Sequence, residues 1–194
     1  MLFRSHGGPL FPELRQVLVY PGAFVVDRVH PEAGGVLREE RRALAGESWS
    51  RGQVILSWQD VLDGARVADD GHNVVLHEFA HQLDTDSGNA NGAPRLATPA
   101  LQGRWAQVMS AEFDALRARL RSREAAGEFW WQGGGPADAG VAPELISAYG
   151  ASDPAEFFAV VTEVFFEQAG ALAERHPALF TVLRDFYAVD PREW

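Results

Sequence analysis

The sequence predicts an α+β fold, and three observations support this class. Short runs rich in β-branched and aromatic residues lie before residue 60, whereas apolar residues recur at three- and four-residue steps in the rest of the chain. Between the two regions lies His77-Glu78-Phe79-Ala80-His81, a His-Glu-x-x-His motif inside an apolar run. The 194 residues are enough for one domain with a real core, and we predict a single domain over 1–194.

The part of the chain before the motif is predicted to contain four short strands. A Gly- and Pro-containing lead over 1–12 is expected to be loosely ordered. The polar segment 60–70, which contains Gly64, is expected to be a connection into the motif. The last strand is either a sheet edge that binds an extended peptide beside the active site or an internal strand with no ligand role. The predicted strands are 17–20, 24–26, 36–40 and 53–58.

The motif lies on a predicted helix over 73–84. Residues four apart lie one turn above each other, so His77 and His81 project from the same side. Two neutral imidazoles in this arrangement can bind one Zn²⁺, with Glu78 beside them to accept a proton from an attacking water. The alternative is a pair of hydrogen-bonded core histidines, but buried polar groups need partners, which a metal supplies. The apolar residues of this helix at helical spacing are Leu76, Phe79, Ala80 and Leu83.

Further helices are predicted after the motif. Thr98-Pro99 and Asp153-Pro154 each place a capping residue before a proline at the first helical position. Between these helices, 127–140 contains Trp130-Trp131 and a glycine run. This segment is either a mobile flap with an apolar face or a surface loop whose tryptophans pack on the core. The predicted helices run from 99 to about 123, from 154 through the apolar stretch 156–166, and over 172–187 with a start near 176–177.

Composition excludes several classes of function. A net charge of −10 argues against a nucleic-acid surface, which needs a concentrated positive field. The absence of cysteine excludes disulfides and thiolate zinc sites, so a metal would need His and carboxylate ligands. The start of the chain lacks the apolar core of a signal peptide, and no apolar run reaches the ~18–20 residues of a membrane span. We therefore expect a cytoplasmic protein with no nucleic-acid or membrane partner.

The third metal ligand has several candidates. A longer motif, His-x-x-Gly-x-x-His, fails because Asp84 occupies the glycine position and Ser87 the last histidine position. Asp84 could accept a hydrogen bond from an imidazole N–H, or could be a surface carboxylate at the helix end. Glu156 and Glu163 are better candidates, because they are seven residues apart on one face of an apolar helix. One could bind the metal while the other orients a histidine, and the residues alone do not say which.

The segments 73–84, 86–94 and 148–159 resemble the Mlc titration factor A family of zinc-dependent peptidases, which is similar to the catalytic domain of anthrax lethal factor. The resemblance implies a zincin fold of gluzincin type, with a small mixed sheet packed on the motif helix and further helices towards the C-terminus. It also implies that Glu156 is the third zinc ligand and that Tyr149 faces the metal, where its phenol could stabilise an oxyanion. Shorter matches lie at 20–22, 56–58 and 177–191.

The function implied by this resemblance is peptide hydrolysis by an aminopeptidase-like enzyme with one Zn²⁺ per chain. Its metal ligands would be His77, His81 and Glu156, and its general base Glu78. The resemblance also implies binding of the glucose-responsive repressor Mlc. Members of the family carry a helical segment before the first strand, whereas this sequence begins almost at the strand. We therefore expect either a short form or a fragment, and autoinhibition and repressor binding stay open. The alternative is a non-catalytic regulator that sequesters a repressor, with zinc structural or vestigial.

Overall fold

The computed structural model describes residues 11, 14–31, 37–44, 46–49, 52–85, 88, 90–126 and 144–194. The expectations for Trp130-Trp131, and for the lead before Phe11, lie outside these residues. In the described part, five strands are followed by six α-helices, which confirms the α+β class. None of the helices described is long and apolar enough to cross a bilayer.

The strands form two small sheets. In the first sheet the order is β1-β5-β4, with β1 parallel and β4 antiparallel to β5, so the sheet is mixed. In the second sheet β2 pairs with β3 in antiparallel fashion. The strands are β1 (Gln16–Tyr20), β2 (Phe24–Pro31), β3 (Leu37–Leu44), β4 (Gly46–Trp49) and β5 (Gln53–Ser57).

The strand predicted at 53–58 is internal to its sheet. β5 pairs with β1 on one side and with β4 on the other, and Val54 and Leu56 on it are buried. The interpretation of this strand as a sheet edge was therefore wrong, and the internal alternative is correct. The end of the described sheet next to the motif helix is β4, a strand that the sequence analysis missed because Gly-Glu-Ser-Trp contains no β-branched residue.

The first helix, α1 (Trp58–Arg66), occupies much of the segment predicted to be a connection. The hydroxyl of Ser57 caps it by accepting a hydrogen bond from a backbone N–H of its first turn. Asp63 accepts hydrogen bonds from the side chains of Gln59 and Arg66 on its surface. The segment was predicted from its polar residues and Gly64, although Trp58, Val61 and Leu62 recur at helical spacing; none of these three is fully buried in α1. Its cap and its surface pairs also stabilise it.

The motif helix, α2 (Val74–Thr85), packs against β4 and β5 on one side and against α4 (Pro154–Glu167) on the other. The predicted caps are confirmed: Thr98 caps α3, and Asp153 caps α4 by accepting from two backbone N–H groups. The predicted last helix is two helices, which meet at His176. The remaining helices are α3 (Pro99–Ala125), α5 (Ala169–Arg175), α6 (Pro177–Tyr187) and a short 3-10 helix (Ala148–Ala151) before α4.

The largest core side chains come from α3, α4 and α6. Ten of the fourteen residues of α4 are buried, as its all-round apolar sequence predicts. Since α4 also carries Glu156 and Glu163, this core positions both carboxylates. The fully buried side chains that hold α4 in place include Trp105, Leu116, Phe158, Val161, Phe165 and Leu183.

The motif helix buries a different face from the predicted one. Ala80 is buried, but Leu76, Phe79 and Leu83 are only half-buried. The other buried residues of α2 are all polar, because the helix lies between the sheet and α4 and turns its polar residues into that contact. They are Glu78, Gln82 and Asp84.

Candidate metal centre

Three candidate ligand atoms converge between α2 and α4. Nε2 of His77 lies 3.2 Å from Nε2 of His81 and 2.9 Å from Oε2 of Glu156. Nε2 of His81 lies 3.4 Å from the same carboxylate oxygen. Each of the three side chains offers one ligand atom, and these atoms lie within 4.8 Å of one another. Among the residues described, no other group of three or more His, Cys, Asp or Glu side chains is close enough to hold a metal ion.

Glu163 fixes the ring of His77 from the side opposite the cluster. Its Oε1 lies 2.7 Å from Nδ1 of His77, and its Oε2 accepts the backbone N–H of Asn73 at 2.5 Å. A hydrogen bond at Nδ1 leaves Nε2 directed at the other two candidate ligands. Histidines that bind metals commonly donate their second N–H to a carboxylate in this way, which orients the ring.

Asn73 connects the start of the motif helix to the end of α4. Its side-chain oxygen accepts the N–H groups of Val75 and Leu76, which makes it the cap of α2. Its side-chain amide donates to Glu167 at 2.9 Å. This role was not predicted, although an Asn immediately before an apolar helical run is itself a helix-start signal.

The protonation of the cluster follows from its short contacts. Burial alone would lower the pKa of His77, but hydrogen bonds to Glu156 and Glu163, together with the charges of Glu163 and Glu78, raise it to about 10. Burial alone would raise the pKa of Glu156, but hydrogen bonds from His77 and His81 and their charges hold it well below its usual range. The cluster therefore holds a positive charge at His77 and a negative charge at Glu156.

This donor set fits zinc. Two imidazole nitrogens and one carboxylate oxygen are the ligands of His₂Glu catalytic sites, and three protein ligands leave one position for water. A cation in place of the proton on Nε2 of His77 would still keep the hydrogen bond from Nδ1 to Glu163. The three side chains therefore supply the donor atoms that zinc requires, and Glu163 still orients the ring of His77.

Glu78 is buried beside the cluster, with 5% of its surface exposed. It approaches Gly46 at the start of β4 so closely that a Cβ on Gly46 would lie 2.6 Å from both Cγ and Oε1 of Glu78. The absence of a side chain at 46 therefore makes room for this carboxylate. No local pattern predicts this contact, because the two residues are distant along the chain.

Tyr149 lies beside the ring of His77. Its ring centroid is 5.9 Å from that of His77, and 38% of its surface is exposed. It also lines a cavity of about 1190 Å³ that Arg123, Glu144 and Arg175 border from other elements. None of the three candidate ligands lines this cavity, whereas Tyr149 lines it and lies beside the ring of His77.

Asp84 is fully buried at the end of α2, so the surface-carboxylate alternative was wrong. Its Oδ2 accepts the backbone N–H of Gly92 at 2.6 Å, which attaches the following loop to the motif helix. Burial raises the pKa of Asp84, although hydrogen bonds from the loop and the charge of His81 oppose that rise. The predicted role as acceptor for an imidazole stays a prediction.

Known proteins match this chain over the whole of the candidate metal centre. A family model described as glucose-regulated metallo-peptidase M90 matches residues 1–188. A protein of Synechocystis sp., named Uncharacterized protein slr2042, is 39% identical over 186 residues, which are 95% of this chain and 61% of the relative. Mlc titration factor A from Escherichia fergusonii is 34% identical over 177 residues, which are 91% of this chain and 60% of the relative. The chain thus spans about three fifths of the length of these relatives.

Proposed function

The chain belongs to the glucose-regulated metallo-peptidase M90 family, and from that premise we propose that it is a zinc-dependent peptidase with a zincin fold of gluzincin type. The observation that carries the proposal is the meeting of His77, His81 and Glu156 from two helices, with Glu78 buried beside them. A structural zinc site is usually closed by four protein ligands, whereas this set has three. Such a set leaves a position for chemistry.

His77, His81 and Glu156 would hold the single metal ion, and Glu163 would keep the ring of His77 in place. Zinc bound there would supply a Lewis acid that makes a water nucleophilic near neutral pH and polarises a carbonyl. The proposal assigns one ion to each chain. It is supported by the family and by the type and spacing of the donor atoms.

Glu78 would act as the general base. It would accept the proton of the attacking water at a carboxylate oxygen and deliver it to the amine that leaves when the peptide bond breaks. Its position on the turn of α2 between the two histidines supports this role. Gly46 gives the carboxylate its place against β4.

Tyr149 would donate its phenolic hydrogen to the oxygen on which negative charge develops. Donors of this kind contribute about 2.7–4 kcal/mol in other enzymes. The partial exposure of Tyr149 and its distance from the ring of His77 support this role, because a substrate carbonyl could lie between them.

The proposed substrate is a peptide. β4 ends the described sheet beside α2, and an extended substrate could add to it through main-chain hydrogen bonds. The cavity next to Tyr149 would receive side chains of the substrate. We propose aminopeptidase-like cleavage, and a panel of chromogenic peptides with free and blocked N-termini distinguishes it from endopeptidase cleavage.

The single domain, the cytoplasmic location and the lack of nucleic-acid partners stay predictions.

The test of the reaction is Glu78→Gln. This variant should retain zinc and lose hydrolysis of the peptide panel, because the amide cannot accept the proton. Glu112→Gln is the matched control: Glu112 also contacts a histidine, His176 at 2.8 Å, but lies outside the cluster. Full activity in the Glu78→Gln protein would show that the base is assigned wrongly. A metal-free, inactive wild-type protein would contradict the peptidase proposal.

The second candidate is a regulator that binds a repressor of the Mlc type without hydrolysis. The name Mlc titration factor A, borne by relatives that are 34% identical, favours it. Regulation of a glucose-responsive repressor could also accompany peptidase activity. Binding of purified repressor by wild type and by Glu78→Gln separates these cases: equal binding with no hydrolysis by either protein would favour the regulator.

A further inference from the structure

We infer that Gly92 is a positioning residue that sets the distance between the two histidines and Glu156. Gly92 lies in the loop after α2, yet it contacts the end of α2, the side of α3 and the start of α4. We call these contacts the Gly92 junction; its members are Asp84, Gly92, Trp105 and Pro154. The inference rests on the proposed function, because it concerns how well the cluster binds zinc.

The junction is attached to the motif helix through a buried hydrogen bond. Asp84 lies three residues after His81, and its carboxylate accepts the N–H of Gly92 at 2.6 Å. The carbonyl of Gly92 accepts the indole N–H of Trp105 at 2.9 Å. Since Trp105 is 1% exposed and packs in the core, both polar groups of the Gly92 peptide units are fixed by buried side chains.

The junction meets the other ligand helix through direct backbone contact. A Cβ on Gly92 would lie 2.8 Å from the carbonyl carbon of Pro154 and closer still to its oxygen. Backbone atoms cannot rotate away as the end of a side chain can. Pro154 is the first residue of α4, and Glu156 lies two residues later. A side chain at 92 would therefore push apart the two elements that carry the candidate ligands.

The opposite end of the α2–α4 pair is fixed independently. There Asn73 donates to Glu163 and Glu167, and the N–H of Gly71 also donates to Glu167, at 3.0 Å. With that end held, a wider separation at Gly92 would move Glu156 more than Glu163. The expected effect is a poorer third ligand with the contact between His77 and Glu163 retained.

The test compares alanine at two glycines of the same loop. Gly92 has a φ of +74° and Gly88 a φ of +120°, so alanine strains the backbone at both positions. A Cβ on Gly88 would meet nothing within 4 Å, whereas one on Gly92 meets Pro154. Gly92→Ala and Gly88→Ala therefore differ in the contact with α4.

Three measurements on each variant separate positioning from stability. They are the zinc affinity by chelator competition, the visible spectrum of the cobalt-substituted protein, and thermal unfolding of the metal-free protein. We expect Gly92→Ala to lose about 10–100-fold in zinc affinity, as changes behind metal ligands do, with an altered cobalt spectrum. Gly88→Ala should be less stable than wild type but retain its affinity and spectrum.

Trp105→Phe provides a second, milder variant should Gly92→Ala fail to fold. It removes the indole donor to Gly92 and keeps an aromatic ring in the core. Leu172→Ala, a fully buried change on α5, is its control for lost core packing. Trp105→Phe should weaken zinc binding, whereas Leu172→Ala should lower the unfolding temperature alone.

The outcomes distinguish the two proposals. Wild-type protein that binds no zinc or cobalt overturns the proposed function and this inference together. Wild type that binds zinc, with unchanged affinity in Gly92→Ala or, if that variant does not fold, in Trp105→Phe, overturns this inference and leaves the proposed function standing. A selective loss in the Gly92 or Trp105 variant supports the junction.

Discussion

The two helices of the candidate metal centre hold their ligands in different ways. On α2, His77 and His81 are one turn apart, so the geometry of a single helix fixes their separation. On α4, Glu156 approaches them from a position 79 residues after His77. Its position depends on the packing of α4 against α2 and the core. Two of the three candidate ligands are therefore placed by local structure, and the third by tertiary structure.

The burial of the two helices differs in the same sense. α4 is buried on nearly all sides by apolar side chains, whereas α2 buries mainly Glu78, Gln82 and Asp84. Changes in the core should therefore act on the site mainly through α4. Changes on α2 should act mainly through polar contacts.

The largest effect on stability is expected from Phe158→Ala on α4. Phe158 is fully buried and its ring packs against Trp105 and Phe186. Its loss should lower the free energy of unfolding by about 3–5 kcal/mol, which denaturant titration of the metal-free protein measures. Phe79→Ala on α2 is the control, since Phe79 is only half-buried. Equal losses at the two positions would contradict the difference in burial.

A smaller effect is expected from Glu163→Gln, which tests the carboxylate behind His77. The amide can still contact Nδ1 but no longer carries the charge that raises the pKa of the imidazole. We expect zinc affinity to fall by about 10–100-fold, as for other groups that orient metal ligands. Glu167→Gln is the comparison, because Glu167 contacts Gly71 and Asn73 but no described candidate ligand. Unchanged zinc affinity in Glu163→Gln would show that the carboxylate of Glu163 does not support the binding of the metal by His77.

The smallest expected effect is the release of a proton when zinc binds. The pKa of His77 is raised from 6.5 to about 10, so its charge stabilises the metal-free protein fully below pH 6.5, and that contribution is lost as the pH rises to 10. Zinc must displace this proton, so binding at pH 7.5 should release about one proton per ion. Calorimetry in buffers of different ionisation enthalpy measures the release. Identical heats in all buffers would mean that His77 is already neutral.

The sequence predicted the parts of the fold that depend on local rules. The Thr98 and Asp153 caps, the motif helix and the burial of α4 follow from residue type and periodicity. α1 was missed because its polar residues and Gly64 indicated a connection despite the helical spacing of its apolar residues, and β4 because it contains no β-branched residue. Such elements owe their form to capping and to pairing with neighbours.

The candidate site likewise has one part that local rules predict and another that depends on the packed structure. The spacing of His77 and His81 placed them together without any knowledge of the fold. Residue patterns left Glu156 and Glu163 equivalent, and the packed structure separates them: Glu156 contacts the faces of both histidines that point into the cluster, and Glu163 lies behind His77. The contact of Gly46 with Glu78 and that of Gly92 with Pro154 link residues distant in sequence, which no local pattern encodes.

The most direct test of the account is the zinc content of purified wild type, Glu156→Ala and Glu112→Ala after dialysis against trace metal. If ligands from both helices bind zinc, we expect one ion per chain in wild type and in Glu112→Ala. We expect far less than one ion per chain in Glu156→Ala. One ion per chain in Glu156→Ala would contradict the account, since α4 would then contribute no essential ligand.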